Sequence, residues 1–166
     1  MIALEEEIAR LLEEWGLTLA VAESATGGEV SHRILGALGK PALFKGSVIA
    51  YTNAVKAGVL GVRPEVLDKY TAVSPQVAEA MARGVRRLMK ADIALATTGI
   101  AGPGGATPGK PVGLVYIAVA VGRRALQRKG RARSQGFHFQ GDRAENRRSF
   151  CEAALHMLVE ALTTWI

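Results

Sequence analysis

The apolar run Leu17–Ala22 is rich in strand formers and stops abruptly at Glu23-Ser24-Ala25-Thr26-Gly27-Gly28, after which a helix-compatible segment runs from Glu29 to Leu35. A buried strand that ends in small polar residues and turns into a helix delivers its hydroxyls to the carboxyl edge of a sheet, where open α/β sheets bind ligands. The two glycines let a ligand approach the backbone closely, and the free N–H groups of a helix start favour an anion or a developing oxyanion. Glu23, Ser24 and Thr26 are the side chains placed to face such a ligand. The alternative is that Ser24 or Thr26 simply caps the helix.

The remaining chain repeats the alternation. Leu4, Ile8, Leu11, Leu12 and Trp15 recur at helical spacing, and Gly16 stops that helix. Gly46–Tyr51 reads as a second strand, followed by Thr52-Asn53, with Asn53 suited to cap a short helix that carries Lys56. Pro64 opens another short helix to Tyr70, and Ser74-Pro75 is a cap-and-first-turn signature for a helix whose face is Val77, Ala78, Met81, Ala82, Val85, Leu88 and Met89. Ile93–Thr98 is apolar enough to be a central strand. It empties into Gly99–Pro111, where five glycines and three prolines in thirteen residues leave only a loop. Val112–Val121 and Ser134–Phe139 read as the two strands of a hairpin. Gly141-Asp142-Arg143 then leads into a last helix with the stripe Phe150, Ala154, Leu155, Leu158 and Leu162. This order predicts one α/β domain over residues 1–166, a three-layer α/β/α sandwich around a mixed sheet of about five strands.

Charge and cysteine usage narrow the class further. The net charge of +6 is concentrated between Arg123 and Arg148, where nine Lys/Arg face only Asp142 and Glu145. Such a tract could attract phosphate or nucleic acid, but Arg123–Arg133 has no interleaved aromatic residue, which favours a solvated hairpin over a nucleic-acid surface. His32, His138 and His156 stand apart and no His/Cys set has ligand spacing, so no metal is expected. Cys151, the single cysteine, reads as a small core residue beside the last helix's stripe. The acidic start Met1–Glu7 lacks the order of a signal peptide, and no apolar run reaches the ~18 residues of a spanning helix. Together these point to the cytoplasm, without a membrane partner.

Three turns after successive strands collect polar groups. The first offers Ser24 and Thr26, the second Tyr51, Asn53 and Lys56, and the third Thr98 with the glycine-rich loop and Lys110; Arg143 follows later. If the strands are parallel neighbours, these turns share one edge. A serine needs a base to become a nucleophile, and no histidine sits at any of the turns. Lys56 could serve if desolvation lowered its pKa, with Tyr51 relaying the proton or orienting the lysine.

The motifs Ala22–Gly28, Ala50–Lys56, Gly58–Val62, Ala72-Val73-Ser74, Thr98–Gly105 with Lys110–Gly113, and Gly141-Asp142-Arg143 occur in order over nearly the whole chain. Together they resemble the CinA C-terminal domain family, the nicotinamide mononucleotide (NMN) amidohydrolases. The resemblance implies hydrolysis of the NMN carboxamide to nicotinic acid mononucleotide and ammonia, without a metal or other cofactor. By motif, Ser24 is the nucleophile, Lys56 the general base and Tyr51 its partner. Thr98 and Arg143 match substrate-contacting positions, with Arg143 suited to the phosphate. Around them Thr26, Gly27, Gly28 and Gly99 are the further candidates for substrate binding, and the backbone at Gly27 and Gly28 is the candidate source of oxyanion donors.

In that family the domain is either free-standing or joined to an N-terminal molybdopterin-binding-like domain, and the free-standing form is expected here. Two departures stand out. Ala25 replaces a common cysteine. Gly39-Lys40-Pro41 replaces a serine-containing segment that can contact the nucleotide, so that contact is lost or taken over by Lys40. Besides the amidohydrolase, a catalytically silent nucleotide-binding module and a competence-linked nucleic-acid accessory are the alternatives. A homo-oligomer such as a dimer is possible.

Overall fold

The computed structural model describes residues 2–126 and 130–166. Its elements run α1 (Leu4–Trp15), β1 (Leu19–Glu23), α2 (Glu29–Leu38), β2 (Phe44–Ile49), α3 (Asn53–Gly58), α4 (Pro64–Tyr70), α5 (Pro75–Leu88), β3 (Ile93–Gly99), β4 (Leu114–Val121), α6 (Arg123–Leu126), β5 (Arg131–His138) and α7 (Arg143–Thr164). The sheet order is β2-β1-β3-β4-β5. β1 lies parallel to both β2 and β3, whereas β4 is antiparallel to β3 and to β5. The expected α/β fold with a mixed five-stranded sheet is the observed one.

The two faces of the sheet are chemically unlike. Successive residues of a strand point to opposite faces, and β1, β3 and β4 alternate large with small. Leu19, Val21, Ile93, Leu95, Val115, Ile117 and Val119 pack one way, against α1, α2 and α7. Ala20, Ala22, Ala94, Ala96, Ala118 and Ala120 face the other way, against α5 and the α3–α4 segment. An alanine floor lets α5 come close, and the approach continues behind it. A Cβ on Gly84 of α5 would sit 2.0 Å from the carbonyl oxygen of Leu60, so only glycine fits there. Cys151 is fully buried, and desolvation pushes its thiol up to about 12, as befits a core residue.

Several boundaries differ from the sequence expectation. α2 continues past Leu35 to Leu38, because Ile34 and Leu38 are both buried and the left-handed residue that ends the helix is Gly39. Thr52, not Asn53, caps α3, its hydroxyl accepting the Val55 N–H at 3.3 Å. β5 begins at Arg131 rather than Ser134, since Arg131 and Arg133 lie over the Trp165 ring at 4.8 and 5.2 Å and extend the pairing with β4. The short α6 occupies the start of the β4–β5 connection, and the tract residues Arg128 and Lys129 lie outside the described residues. No helix among the described residues is long and apolar enough to cross a membrane.

Candidate active site at the strand ends

Sheet register alone brings the first three turns together. Glu23, the last residue of β1, is paired with Ile49 on one side and Thr97 on the other. The Ala50 N–H donates to the Glu23 carbonyl at 2.7 Å and the Ser24 N–H to the Thr97 carbonyl at 3.1 Å. Ser24, Ala50 and Thr98 therefore stand at one level, the first two just past their strands and Thr98 still paired with Tyr116 of β4. From there Lys56, carried back by α3, reaches inward: its Nζ lies 3.1 Å from Ser24 Oγ, 2.8 Å from the Ala50 carbonyl and 3.3 Å from the Tyr51 carbonyl.

Lys56 is only 1% exposed, among the largest fully buried side chains of the molecule. Desolvation lowers its pKa from 10.5 to about 8. The three contacts explain what the neutral form can do. Two carbonyls accept the two N–H groups of a free amine, which leaves its lone pair directed at the Ser24 hydroxyl. A buried amine held this way is a base with its proton donor already in place.

These groups line a cleft of about 340 Å³ together with Ala25, Tyr51, Thr98, Gly99, Arg143 and the loop residues Ile100–Gly102, Gly104 and Gly105. The Thr98 hydroxyl donates to the Ala72 carbonyl at 2.8 Å and keeps its oxygen free to accept. Arg143 Nη1 donates to the Gly102 carbonyl at 2.8 Å, so part of its guanidinium fork already holds the loop. Fully buried Asn146 fastens the same loop through the Ala101 carbonyl, 3.0 Å away. A larger apolar groove of about 700 Å³ runs between β5 and α7 past Phe137, Phe139 and Met157; Ser149, Glu152 and His156 also line it, but His156 and Glu152 meet each other at 3.8 Å and, among the described residues, neither bonds Ser149.

Several expected site residues take other roles. The Thr26 side chain is fully buried, donating to the Glu23 carboxylate at 2.6 Å and meeting Thr97 Oγ1 at 2.8 Å, so its hydroxyl does not face the cleft. The α2 N-terminus is not an open anion site and neither Ser24 nor Thr26 caps it. Gly28 is its N-cap at φ 100°, a conformation that favours glycine, and the fully buried Glu23 carboxylate accepts the N–H groups of Gly28, Val30 and Ser31 at 3.0, 3.1 and 2.9 Å. The Gly27 N–H closes a turn on the Ser24 carbonyl at 3.2 Å. Gly27 and Gly28 are thus unavailable as oxyanion donors. Tyr51 meets Lys56 through its main-chain oxygen, while the residue is 65% exposed at the cleft rim and its phenol makes no hydrogen bond to Lys56. Asn53 is exposed outside the cleft. Lys110 secures the loop to the Tyr70 carbonyl at 2.8 Å and to Thr71 Oγ1. Lys40 pairs with Glu13 at 2.7 Å in a separate groove and does not reach the cleft.

Comparison with known proteins follows the same pattern. The family model described as CinA C-terminal domain matches residues 1–162. A CinA-like protein of Chlorobium phaeovibrioides is 48% identical over 161 residues, covering 96% of this chain and 37% of the relative; the chain thus spans little more than a third of that protein. Among solved structures, the competence damage-inducible protein A (ComA) of Klebsiella pneumoniae superposes with TM-score 0.90 at 32% identity, over 98% of this chain and 97% of the other. The competence/damage inducible protein CihA of Agrobacterium tumefaciens gives TM-score 0.85 at 35% identity, over 99% and 98%.

Proposed function

The chain belongs to the CinA C-terminal domain family, and from that premise we propose that it is an amidohydrolase that converts NMN to nicotinic acid mononucleotide and ammonia through a Ser24–Lys56 pair. The observation that carries this reading is the buried lysine amine 3.1 Å from a serine hydroxyl at the floor of a polar cleft.

Ser24 Oγ adds to the carboxamide carbon while Lys56 Nζ takes the hydroxyl proton. When the tetrahedral adduct collapses, the C–N bond breaks and the proton passes from Lys56 to the departing ammonia. A water activated by the same lysine then cleaves the acyl ester and regenerates Ser24. Thr98 Oγ1 offers an acceptor to the carboxamide, and the uncommitted N–H groups of Arg143 suit the phosphate. The Tyr51 ring at the rim presents a π-face to the cationic pyridinium. A cleft of about 340 Å³ is of a size to take a mononucleotide.

Ammonia release from NMN, with and without hydroxylamine, tests the reading. Turnover together with a hydroxamate product is expected. No ammonia from NMN at any pH between 6 and 10 would overturn it.

A further inference from the structure

The turn after Ser24 sorts its backbone donors into two groups. Ser24, Gly27 and Glu29 give their N–H groups to the carbonyls of Thr97, Ser24 and Thr26, and Gly28, Val30 and Ser31 give theirs to Glu23. Among the described residues no acceptor meets the N–H groups of Ala25 and Thr26. These are the two central residues of the turn that Gly27 closes on the Ser24 carbonyl, and Ala25 lines the cleft beside Ser24 and Lys56.

We propose that the backbone N–H groups of Ala25 and Thr26 form the oxyanion seat for the adduct on Ser24, and that Glu23 is the positioning residue that holds this turn in shape. The proposal rests on the serine mechanism above. When the Ser24 Oγ–carbon bond forms, the carbonyl π pair moves onto oxygen, and that charge needs donors on the side away from the lysine. Lys56 is occupied with the proton, and Arg143 is tied to the loop at the cleft rim. The amide directly after a nucleophile is geometrically close to the atom it attacks, and a preorganised N–H costs no rearrangement as charge develops. The buried carboxylate of Glu23 keeps the turn from relaxing. It gathers the next N–H groups of the α2 start, and through Thr26 Oγ1 it fixes the residue that supplies the second donor.

The test uses the aldehyde analogue of NMN, with the carboxamide replaced by a formyl group, which adds to a serine as a hemiacetal. Amide spectra of the ¹⁵N-labelled protein should show the Ala25 and Thr26 protons moving downfield and exchanging more slowly on addition, with Ser24→Ala abolishing both effects. If mass spectrometry shows the Ser24 adduct but those two amides stay put while others lining the cleft move, the seat is elsewhere and the proposal falls. If no adduct forms on Ser24, the serine mechanism fails, and the seat with it. Glu23→Gln, confirmed as folded by its spectrum, should lower kcat by about tenfold to 100-fold with KM within about threefold, and should weaken the two amide shifts in the adduct. Full kcat in that variant would remove Glu23 from its positioning role.

Discussion

β2, β1 and β3 run parallel and discharge their carboxyl ends at one edge, whereas β4 and β5 run antiparallel and carry a row of arginines to the far side. In the parallel half, polar groups from separate stretches of chain meet and are buried: Glu23, Ser24, Lys56, Thr97 and Thr98 are all at most 7% exposed. In the antiparallel half the charges stay at or near the surface and, among the described residues, none enters the cleft. Arg124 is 71% exposed and pairs with Asp92 at 2.9 Å, and Arg131 and Arg133 lie over Trp165. The difference teaches that charge density is a poor guide to chemistry here. The described arginines of the most basic tract sit on α6 and β5, away from the cleft, while one buried lysine is placed where desolvation makes it a base.

The sharpest break of that contrast is removal of the proposed nucleophile or its proposed base. Ser24→Ala and Lys56→Ala are each expected to reduce ammonia release by about 10³-fold or more, and the double variant should be scarcely worse, because the two act as a unit. NMN binding by calorimetry should survive in Ser24→Ala. Two losses that multiply in the double variant would show that the residues work separately.

The pH dependence comes next. Since burial lowers Lys56 to about 8, kcat/KM should rise about tenfold per pH unit below that value and level off above it. Stability follows the same group. Between pH 8 and 10.5 the unfolded chain holds a proton that the folded lysine has released, so stability should climb by about 3 kcal/mol across that window and be flat in this group below it. Denaturant titrations should show this rise in wild type and not in Lys56→Met. The same variant should be the more stable protein at pH 7, where wild type buries a charge.

At the cleft rim the effects should be moderate. Arg143→Ala is expected to lower kcat/KM for NMN by about 10- to 100-fold with little change on the riboside, which lacks phosphate. Tyr51→Phe should be nearly silent and Tyr51→Ala should raise KM by about fivefold, since the ring face and not the hydroxyl is offered to the ligand. Equal losses on both substrates would assign Arg143 to the loop it already holds through Gly102.

The smallest effect belongs to the antiparallel half. Replacing Arg123, Arg124 and Arg133 with serine should leave turnover within about twofold and cost about 1–2 kcal/mol, since exposed Arg124 pairs with a buried Asp92 that would keep only its Thr18 donors. A tenfold loss of kcat/KM would put the basic tract in the site and erase the contrast between the halves.

Much of this was legible in the residues. The Ser74 and Asp142 helix starts are caps in the structure, the stripe from Phe150 to Leu162 is buried, and the apolar run Ile93–Thr98 forms a central strand. The Leu/Ile/Val–Ala alternation along β1, β3 and β4 was also available as a signal for two unlike sheet faces. Glu23 was not readable as it is. A glutamate at a strand end is ordinarily solvated, and only when the strand end meets a helix start do enough N–H groups gather to bury its carboxylate.

What the sequence determined by itself is the set of elements and the chemical types at their ends, because propensity, capping and hydrophobic period are local. What the tertiary structure decided is which of those ends became a site. Lys56 and Ser24 are 32 residues apart, and nothing local distinguishes Lys56 from an ordinary surface lysine. Parallel pairing of β1 with β2 sets Ala50 beside Ser24, and the core beneath α3 excludes water from the amine. Basicity suited to catalysis is therefore a property of the packing, since a pKa answers to the surroundings of a group and not to its neighbours in the chain.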